Sequence, residues 1–234
     1  MPMSESLQNR LALVQQQIAA ACARAGRAPG EVVLLPVSKT FDAQVVRQAA
    51  GLGLRRFGEN KTQEMRQKSE ALQDLNLDWV LIGHLQTNKA RDAARYASEV
   101  QSLDRLALAE ALDQRLQAQG RALDVLVQVK TSDEPSKSGL DPEQLPVFLK
   151  RLQTMDTLRV KGLMTLAVNS PDEQAVRRCF RLLREWRDRL RDEGFDQVQR
   201  LSMGMSGDFG LAIEEGATEV RIGSAIFGQR DYAH

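Results

Sequence analysis

The sequence has few of the residue types that build metal centres and disulfide frameworks. Its 234 residues include two cysteines, Cys22 and Cys179, and two histidines. The cysteines lie far apart, without the short spacing of metal ligands, and each falls in a stretch with helical periodicity. We therefore expect both to be small apolar core residues, and we expect neither a disulfide framework nor a metal site.

An excess of charge of either sign is also absent. The 32 basic residues balance 31 acidic ones, which leaves a net charge of +1 at pH 7. A chain so close to neutrality has no overall attraction for nucleic acid or for an anionic membrane. No apolar run approaches the length of a transmembrane helix, and residues 1–6 lack the basic and apolar parts of a signal peptide. The expected location is the cytoplasm, with neither nucleic acid nor membrane as a partner.

What the sequence does have is a regular alternation of apolar strands and amphipathic helices. After an opening helix at residues 5–24, strands are predicted at residues 32–37, 54–60, 77–85, 99–103, 123–129, 160–166, 199–206 and 219–228. Eight strand-then-helix units predict a closed (β/α)8 TIM barrel of the α/β class, with an extra N-terminal helix. No linker interrupts the series, so one domain is expected over residues 1–234. An open doubly wound sheet is the alternative, but it needs a glycine-rich turn after the first strand, and residues 39–42 contain no glycine.

A single lysine follows the first of these strands. Residues 32–37 form a continuous apolar run of the kind that is buried on both faces of a parallel sheet, and Lys39 comes two residues later. Thr40 or Asp42, which follow it, could open the next helix. Burial of an ammonium group lowers its pKa, and a neutral amine there is a nucleophile for carbonyl compounds. The alternative interpretation is structural: the stem of the side chain packs while its charged head reaches water.

The carboxyl ends of the other strands bear on this choice, because the active site of such a barrel is built there. They bring together Asn60, His84, Lys130, Met164, Thr165, Ser206, Gly207, Arg221, Gly223 and Ser224. The small, polar turns after the last two strands are typical of a phosphate site made of backbone N–H groups, although these glycines could serve only to fit the crowded end of the barrel. A phosphate site opposite a reactive lysine suits pyridoxal 5′-phosphate, a phosphorylated aldehyde held as a Schiff base.

Arg221 bears on the chemistry that such a cofactor could perform. Enzymes that use pyridoxal phosphate as a strong electron sink place a carboxylate at the ring nitrogen, which keeps that nitrogen protonated. An arginine cannot accept the proton, so Arg221 at that place predicts a neutral nitrogen and a weak sink. A surface ion pair of Arg221 with Glu219 or with a neighbouring helix is the alternative interpretation.

Several motifs resemble those of the pyridoxal phosphate homeostasis protein family, from about residue 34 to residue 232. They are VSKT at residues 37–40, FGEN at 57–60, IGHLQTNK at 82–89, SKSG at 136–139, GLMT at 162–165, LSMGMS at 201–206 with Asp208, VRIG at 220–223 and IFG at 226–228. The resemblance implies the barrel of alanine racemase without its second domain. It further implies that Lys39 forms the Schiff base, that Arg221 faces the ring nitrogen and that Asn60 lines the ring. By the same resemblance, the phosphate would be held by Ser206, Gly207, Gly223 and Ser224. Lys130 departs from the family, in which many members have asparagine.

Two classes of function are consistent with these residues. The first, which the resemblance implies, is a monomeric protein that buffers pyridoxal phosphate in vitamin B6 homeostasis without turnover and passes it to apo-forms of enzymes. The second is an amino acid racemase, which needs a further acid/base, typically a tyrosine, on the other face of the cofactor. Tyr96 is expected to face away from the mouth and Tyr232 lies in the tail, so the binding protein is preferred. Lys137 is a candidate secondary site for the aldehyde and Lys89 a candidate contact for an apo-enzyme, although solvated lysines explain both more simply.

Overall fold

The fold was derived from a computed structural model that describes residues 6–132, 134 and 138–228. The strands in this part of the chain are β1 (Val33–Pro36), β2 (Arg56–Glu59), β3 (Asp78–Leu81), β4 (Glu99–Leu103), β5 (Leu123–Gln128), β6 (Leu158–Met164), β7 (Arg200–Ser202) and β8 (Glu219–Ile222). The α-helices are α1 (Leu7–Arg24), α2 (Ala43–Gly51), α3 (Thr62–Ala71), α4 (Ala90–Tyr96), α5 (Leu106–Gln117), α6 (Leu145–Leu152), α7 (Glu173–Asp192), α8 (Phe209–Glu214) and α9 (Ser224–Phe227).

The eight strands are parallel and form one sheet in the order β1-β8-β7-β6-β5-β4-β3-β2. The two ends of this sheet meet just beyond β1, where Val37 pairs with Gly58 of β2. The Ser38 N–H donates to the Gly58 carbonyl oxygen at 3.0 Å, which extends the contact by one residue. The barrel is therefore closed at its carboxyl end, and the predicted (β/α)8 fold is confirmed. Whether the whole chain is one domain stays a prediction.

The helices begin where short polar side chains cap them. Asp42 accepts the Val45 N–H at 2.9 Å and starts α2, so it is Asp42 rather than Thr40 that opens this helix. Thr40 instead has a φ of 71°, which turns the chain out of β1 before the helix begins. The extra N-terminal helix α1 packs on α8 and α9. Arg10 of this helix donates through Nε to the Ile226 carbonyl oxygen at 2.7 Å.

Charged side chains fill the amino-terminal end of the barrel interior. Glu219, at the start of β8, is almost fully buried and accepts a hydrogen bond from Arg200 at 2.7 Å. Arg56 of β2 donates to the same glutamate, and Arg56 Nη2 lies 2.8 Å from Glu99 Oε1. Because these residues come from β2, β4, β7 and β8 and still touch, they must point inward and close the barrel from below.

Three of the predicted strands were too long at their carboxyl ends. β3 ends at Leu81, β7 at Ser202 and β8 at Ile222, instead of at residues 85, 206 and 228. Residues 224–227 form the short helix α9, whose Ile226 and Phe227 are buried. A short apolar run fits either a strand or one turn of a buried helix, so its periodicity could not separate the two.

Cys22 and Cys179 are buried free thiols, as predicted. Among the described residues, no group of His, Cys, Asp and Glu side chains is arranged to hold a metal ion. The helices in the same part of the chain are too short or too polar to cross a bilayer.

Candidate functional site

A cavity of about 650 Å³ opens at the carboxyl ends of the strands. Its wall includes all seven residues that the sequence assigned to a cofactor site: Lys39, Asn60, Ser206, Gly207, Arg221, Gly223 and Ser224. His84, which the strand order also placed at the mouth, lines the cavity as well. The residues predicted from separate strands are therefore brought to one place, which makes this cavity the candidate functional site.

Lys39 enters the cavity from a tightly held stretch of backbone. Ser38 before it is fully buried, and Thr40 after it has a left-handed φ of 71°. A β-branched residue adopts such a φ only when its surroundings enforce it. Lys39 itself is half-buried. The lysine side chain thus starts from a fixed position on the wall of the cavity.

Arg221 forms the floor of the cavity and is 3% exposed. It donates through Nη1 to Ser202 Oγ at 2.8 Å and through Nη2 to the Thr165 carbonyl oxygen at 2.7 Å. Burial lowers the pKa of its guanidinium to about 10, so the group remains cationic at neutral pH. The alternative of a surface ion pair with Glu219 is wrong, because Arg221 is buried and reaches that carboxylate only through the Ser202 hydroxyl.

The turn after β7 presents hydrogen-bond donors to the cavity. Gly204 has a φ of 92°, and a Cβ there would lie 2.6 Å from the Ala212 Cβ, so only glycine fits. Within the described residues, the N–H groups of Ser206 and Gly207 donate no hydrogen bond. Together with the Ser206 hydroxyl they form a set of donors suited to an anion.

The turn after β8 lies close to β1. A Cβ on Gly223 would sit 3.1 Å from the Val37 carbonyl oxygen, which is tighter than an ordinary contact. Glycine thus lets the end of β8 approach the end of β1, and Ser224 follows it on the cavity wall. Lys39 and the β8 turn are neighbours for this reason.

Asn60 is held where the chain after β2 and the chain after β3 approach each other closely. A Cβ on Gly83 would lie 2.2 Å from the Asn60 carbonyl oxygen, so the ends of β2 and β3 can meet only because residue 83 is glycine. The Ile82 N–H also donates to the Glu59 carbonyl oxygen at 2.9 Å. These contacts hold Asn60 at the rim of the cavity.

Some of the lining residues were missed by sequence reasoning. Gln128, Asn169 and Asp208 belong to the wall but were not assigned to the site. Gln128 is buried at the end of β5, where Nε2 donates to the Ser138 carbonyl oxygen at 2.7 Å. The sequence signal for Gln128 is a polar residue at the end of an apolar strand. The sequence analysis instead placed the end of this strand next to Lys130, which is not part of the described lining.

The remaining candidate residues either lie apart from the cavity or fall outside the described residues. Met164 and Thr165 are buried beneath the cavity, and Thr165 contributes the carbonyl oxygen that holds Arg221. Tyr96 lies at the end of α4 and donates to Glu70, away from the mouth as predicted. Lys137 and Tyr232 lie outside the described residues, so the interpretations made for them stay predictions.

Comparison with known proteins agrees with this architecture. Residues 11–231 match the family model described as alanine racemase, N-terminal domain. Proteins named pyridoxal phosphate homeostasis protein in Aquifex aeolicus and Pseudomonas aeruginosa are 43% and 44% identical to the chain. The two alignments cover 95% and 97% of this chain and 98% and 97% of the relatives. A solved structure of PipY from Synechococcus elongatus with pyridoxal phosphate bound is 37% identical and has a TM-score of 0.81. That match covers 90% of this chain and 100% of PipY.

Both the sequence identity and the shared barrel extend over nearly the full length of these relatives. Because relatives at this level of identity retain a common fold and the match is not confined to one motif, membership does not depend on the assignment of any single residue. The chain belongs to the family of pyridoxal phosphate homeostasis proteins, which is built on the alanine racemase N-terminal domain.

Proposed function

We propose that the protein binds pyridoxal 5′-phosphate reversibly through Lys39 and acts as a carrier and buffer in vitamin B6 homeostasis, without turnover. The observation that carries this proposal is the shared cavity of Lys39, Arg221 and the two small turns at Ser206–Gly207 and Gly223–Ser224. The PipY structure with pyridoxal phosphate bound supports the choice of ligand.

The chemistry of the cavity fits the three functional groups of this ligand. The amine of Lys39 suits the aldehyde, and the free N–H groups of Ser206 and Gly207 suit the phosphate. The guanidinium of Arg221 suits a ring nitrogen that carries a lone pair. The volume of about 650 Å³ is within the range of pockets that enclose small ligands.

Lys39 would hold the ligand covalently. Its Nζ would add to the aldehyde carbon, both protons of the neutral amine would pass to the carbonyl oxygen, which would leave as water, and a C=N bond would replace C=O. Addition of water reverses the reaction and returns the free amine. A bond that forms and breaks by exchange of water is what a carrier needs.

Arg221 would restrain the reactivity of the bound ligand. Pyridoxal phosphate, when bound, supplies an electron sink whose strength depends on protonation of its ring nitrogen. Arg221 remains cationic at neutral pH and is held by Ser202 and Thr165, so it can donate to that nitrogen but cannot protonate it. A weak sink favours storage over amino acid chemistry.

Racemisation of amino acids is the second candidate function, and one observation favours it. His84 lines the cavity with its side chain 51% exposed, and its Nδ1 lies 3.7 Å from Asp104 Oδ2. A histidine there is a possible second acid/base, which the described tyrosine, Tyr96, does not provide.

The visible absorbance spectrum of the protein with added pyridoxal phosphate tests the covalent link. We expect a band of the Schiff base in the wild type and in Lys130→Ala, which removes a lysine outside the lining. The band should be absent from Lys39→Ala. An unchanged band in Lys39→Ala would assign the link to another amine and overturn the proposal.

Enantiomer ratios of added amino acids then separate the carrier from the racemase. We expect no change above the rate of free pyridoxal phosphate, for the wild type and for His84→Gln alike. Turnover that is lost in His84→Gln would favour the racemase.

Delivery to apo-enzymes, a monomeric state and a cytoplasmic location are also parts of this proposal. Lys89→Glu should slow transfer to an apo-enzyme, whereas Lys150→Glu, on the exposed face of α6, should not. Equal transfer rates for both variants would remove Lys89 from the contact. Light scattering of the wild type tests the monomer, and cell fractionation tests the location.

A further inference from the structure

A buried ion pair lies directly beneath the backbone of Lys39. Lys68 of α3 is 6% exposed, and Glu59 at the end of β2 is fully buried. The Lys68 ammonium donates to Glu59 Oε1 at 2.6 Å and to the Ser38 carbonyl oxygen at 2.8 Å. Lysine is rarely buried so completely, because removing its charge from water is unfavourable unless partners compensate. Here one of the two partners is the peptide group that joins Ser38 to Lys39.

Each polar group of Ser38 is occupied. Its N–H donates to Gly58, and its carbonyl oxygen accepts from Lys68 and from the Phe41 N–H at 3.1 Å. Its hydroxyl donates to Glu59 Oε1 at 2.6 Å. The residue before Lys39 is thus held by β2, by α3 and by the turn that follows.

The residue after Lys39 is held from the same helix. The Thr40 N–H donates to Glu64 Oε2 at 2.8 Å, and this carboxylate oxygen lies 3.8 Å from the Lys68 ammonium. Glu64 and Lys68 are one helical turn apart on α3. The left-handed φ of Thr40 is a strained conformation for a β-branched residue, and Glu64 supplies a contact that maintains it.

We propose that Lys68, Glu59 and Glu64 are positioning residues for the amine of Lys39. By fixing the residues on both sides, they set the direction in which the Lys39 side chain enters the cavity. Addition to an aldehyde requires the nitrogen to approach the carbonyl carbon along a defined direction, so a lysine that is aligned in advance reacts faster and binds more tightly. This inference rests on the proposed role of Lys39, but its tests also use the protein without any cofactor.

The alternative is that the cluster only stabilises the packing of α3 on the barrel. Glu64→Ala and Glu70→Ala separate the two explanations, because both remove a carboxylate from α3 and Glu70 contacts Tyr96 instead of Thr40. Lys68→Met removes the buried ammonium with little change of side-chain length. Its control is Arg121→Met, which removes a cation that donates to carbonyl oxygens of residues 94, 95 and 97, away from the mouth.

The first measurement uses the cofactor-free protein. Lys39 is reductively methylated with formaldehyde and cyanoborohydride, the extent is followed by peptide mass spectrometry, and amide hydrogen exchange is recorded over residues 37–41. We expect Glu64→Ala and Lys68→Met to accelerate exchange of these amides and to change the methylation rate of Lys39, with no change in the two controls. Unchanged exchange and methylation in both variants would overturn the inference.

The second measurement titrates the same variants with pyridoxal phosphate and follows the absorbance band. We expect Glu64→Ala and Lys68→Met to bind about tenfold more weakly or more slowly than their controls, because small misalignments of a reacting group have effects of this size or larger. Binding equal to that of the controls would refute positioning and leave the proposed function intact. A band that persists in Lys39→Ala would instead refute the proposed function itself.

Discussion

Two buried glutamates, one at each end of the barrel, show how differently those ends are built. Glu219 lies at the amino-terminal end and Glu59 at the mouth, and both are almost fully excluded from water. Glu219 Oε1 accepts from Gln101 and from Ser202, at 3.0 Å in the latter case, and Oε2 accepts from Arg56 and Arg200. Each of its oxygens therefore has two partners.

Glu59 has fewer partners. Its Oε1 accepts from Ser38 and Lys68, whereas Oε2 is buried without a hydrogen-bond partner among the described residues. Burial raises the pKa of the Glu59 carboxyl, and Lys68 offsets this only in part. Burial also acts to raise the pKa of Glu219, but the charges of Arg56 and Arg200 outweigh it and the pKa is lowered.

The difference separates a stabilising end of the barrel from a functional one. In barrels of this type the amino-terminal end carries stability, while the carboxyl end carries the site. A buried carboxylate whose charge is fully offset by cations and hydrogen-bond donors contributes to stability. A buried carboxylate whose charge is only partly offset is tolerated where it holds a reactive group. The Glu59 cluster, next to Lys39, is of the second kind.

The largest effect is expected from Glu219→Gln. The substitution removes one of the two buried carboxylates that face Arg56 and Arg200 and leaves Glu99 alone to offset both cations, and breaking a buried pair costs about 3–5 kcal/mol. Urea unfolding measures the loss. As a control, Glu214→Gln removes a carboxylate whose side chain is 21% exposed, against 1% for Glu219, from its pairs with Arg24 and Arg177, and it should cost no more than about 1 kcal/mol. Equal losses for both variants would contradict the difference between the two ends.

Ser202→Ala is expected to have the next largest effect, because this hydroxyl joins the two ends. It donates towards Gln101 and Glu219 and accepts from Arg221. Each of these buried groups loses one hydrogen bond, and a loss of this kind in the interior costs about 1–3 kcal/mol. Binding of pyridoxal phosphate should weaken as well, since Arg221 loses one acceptor. Ser98→Ala, which removes a hydroxyl bonded to Trp79, should lower stability but leave binding unchanged.

Glu59→Gln should destabilise the protein less than Glu219→Gln. The amide keeps an oxygen for Ser38 and Lys68, and the Glu64 carboxylate remains 3.8 Å from the Lys68 ammonium, so we expect a loss below the about 3–5 kcal/mol of a fully broken buried pair. Binding of pyridoxal phosphate should weaken despite this smaller loss of stability, because the contacts that fix the backbone next to Lys39 are altered. A variant as unstable as Glu219→Gln with unchanged binding would reverse our comparison.

The smallest expected effects are opposite changes of stability with pH. Glu219 has a lowered pKa, so its contribution is fully present above the ordinary value of 4.5 and is lost as the pH falls through the lowered pKa. Glu59 has a raised pKa, so its contribution is present below 4.5 and is lost as the pH rises through the raised pKa. Unfolding of the wild type and the two glutamine variants across this range measures both slopes. Slopes of the same sign would show that one assignment is wrong.

Much of the site could be predicted because a barrel brings the carboxyl ends of its strands together whatever their distance in sequence. Lys39, Asn60, Arg221 and the two turns could each be placed by locating the end of a strand. Gln128 was missed because the sequence predicts that β5 ends just before Lys130, whereas the strand ends at Gln128. The ends of strands are the least certain feature of a prediction from sequence. α9 was missed because four residues are too few to show a helical period.

The sequence alone determined the alternation of strands and helices, and hence the barrel, because hydrophobic periodicity is a local property that each segment carries by itself. Only the tertiary structure decided which charges meet. Lys68 is 30 residues from Ser38, and Ser202 is 101 residues from Gln101, so no local pattern connects them. Whether a buried charge is compensated depends on atoms from several strands at distances of about 3 Å. That is why the difference between Glu59 and Glu219 appears only in the folded molecule.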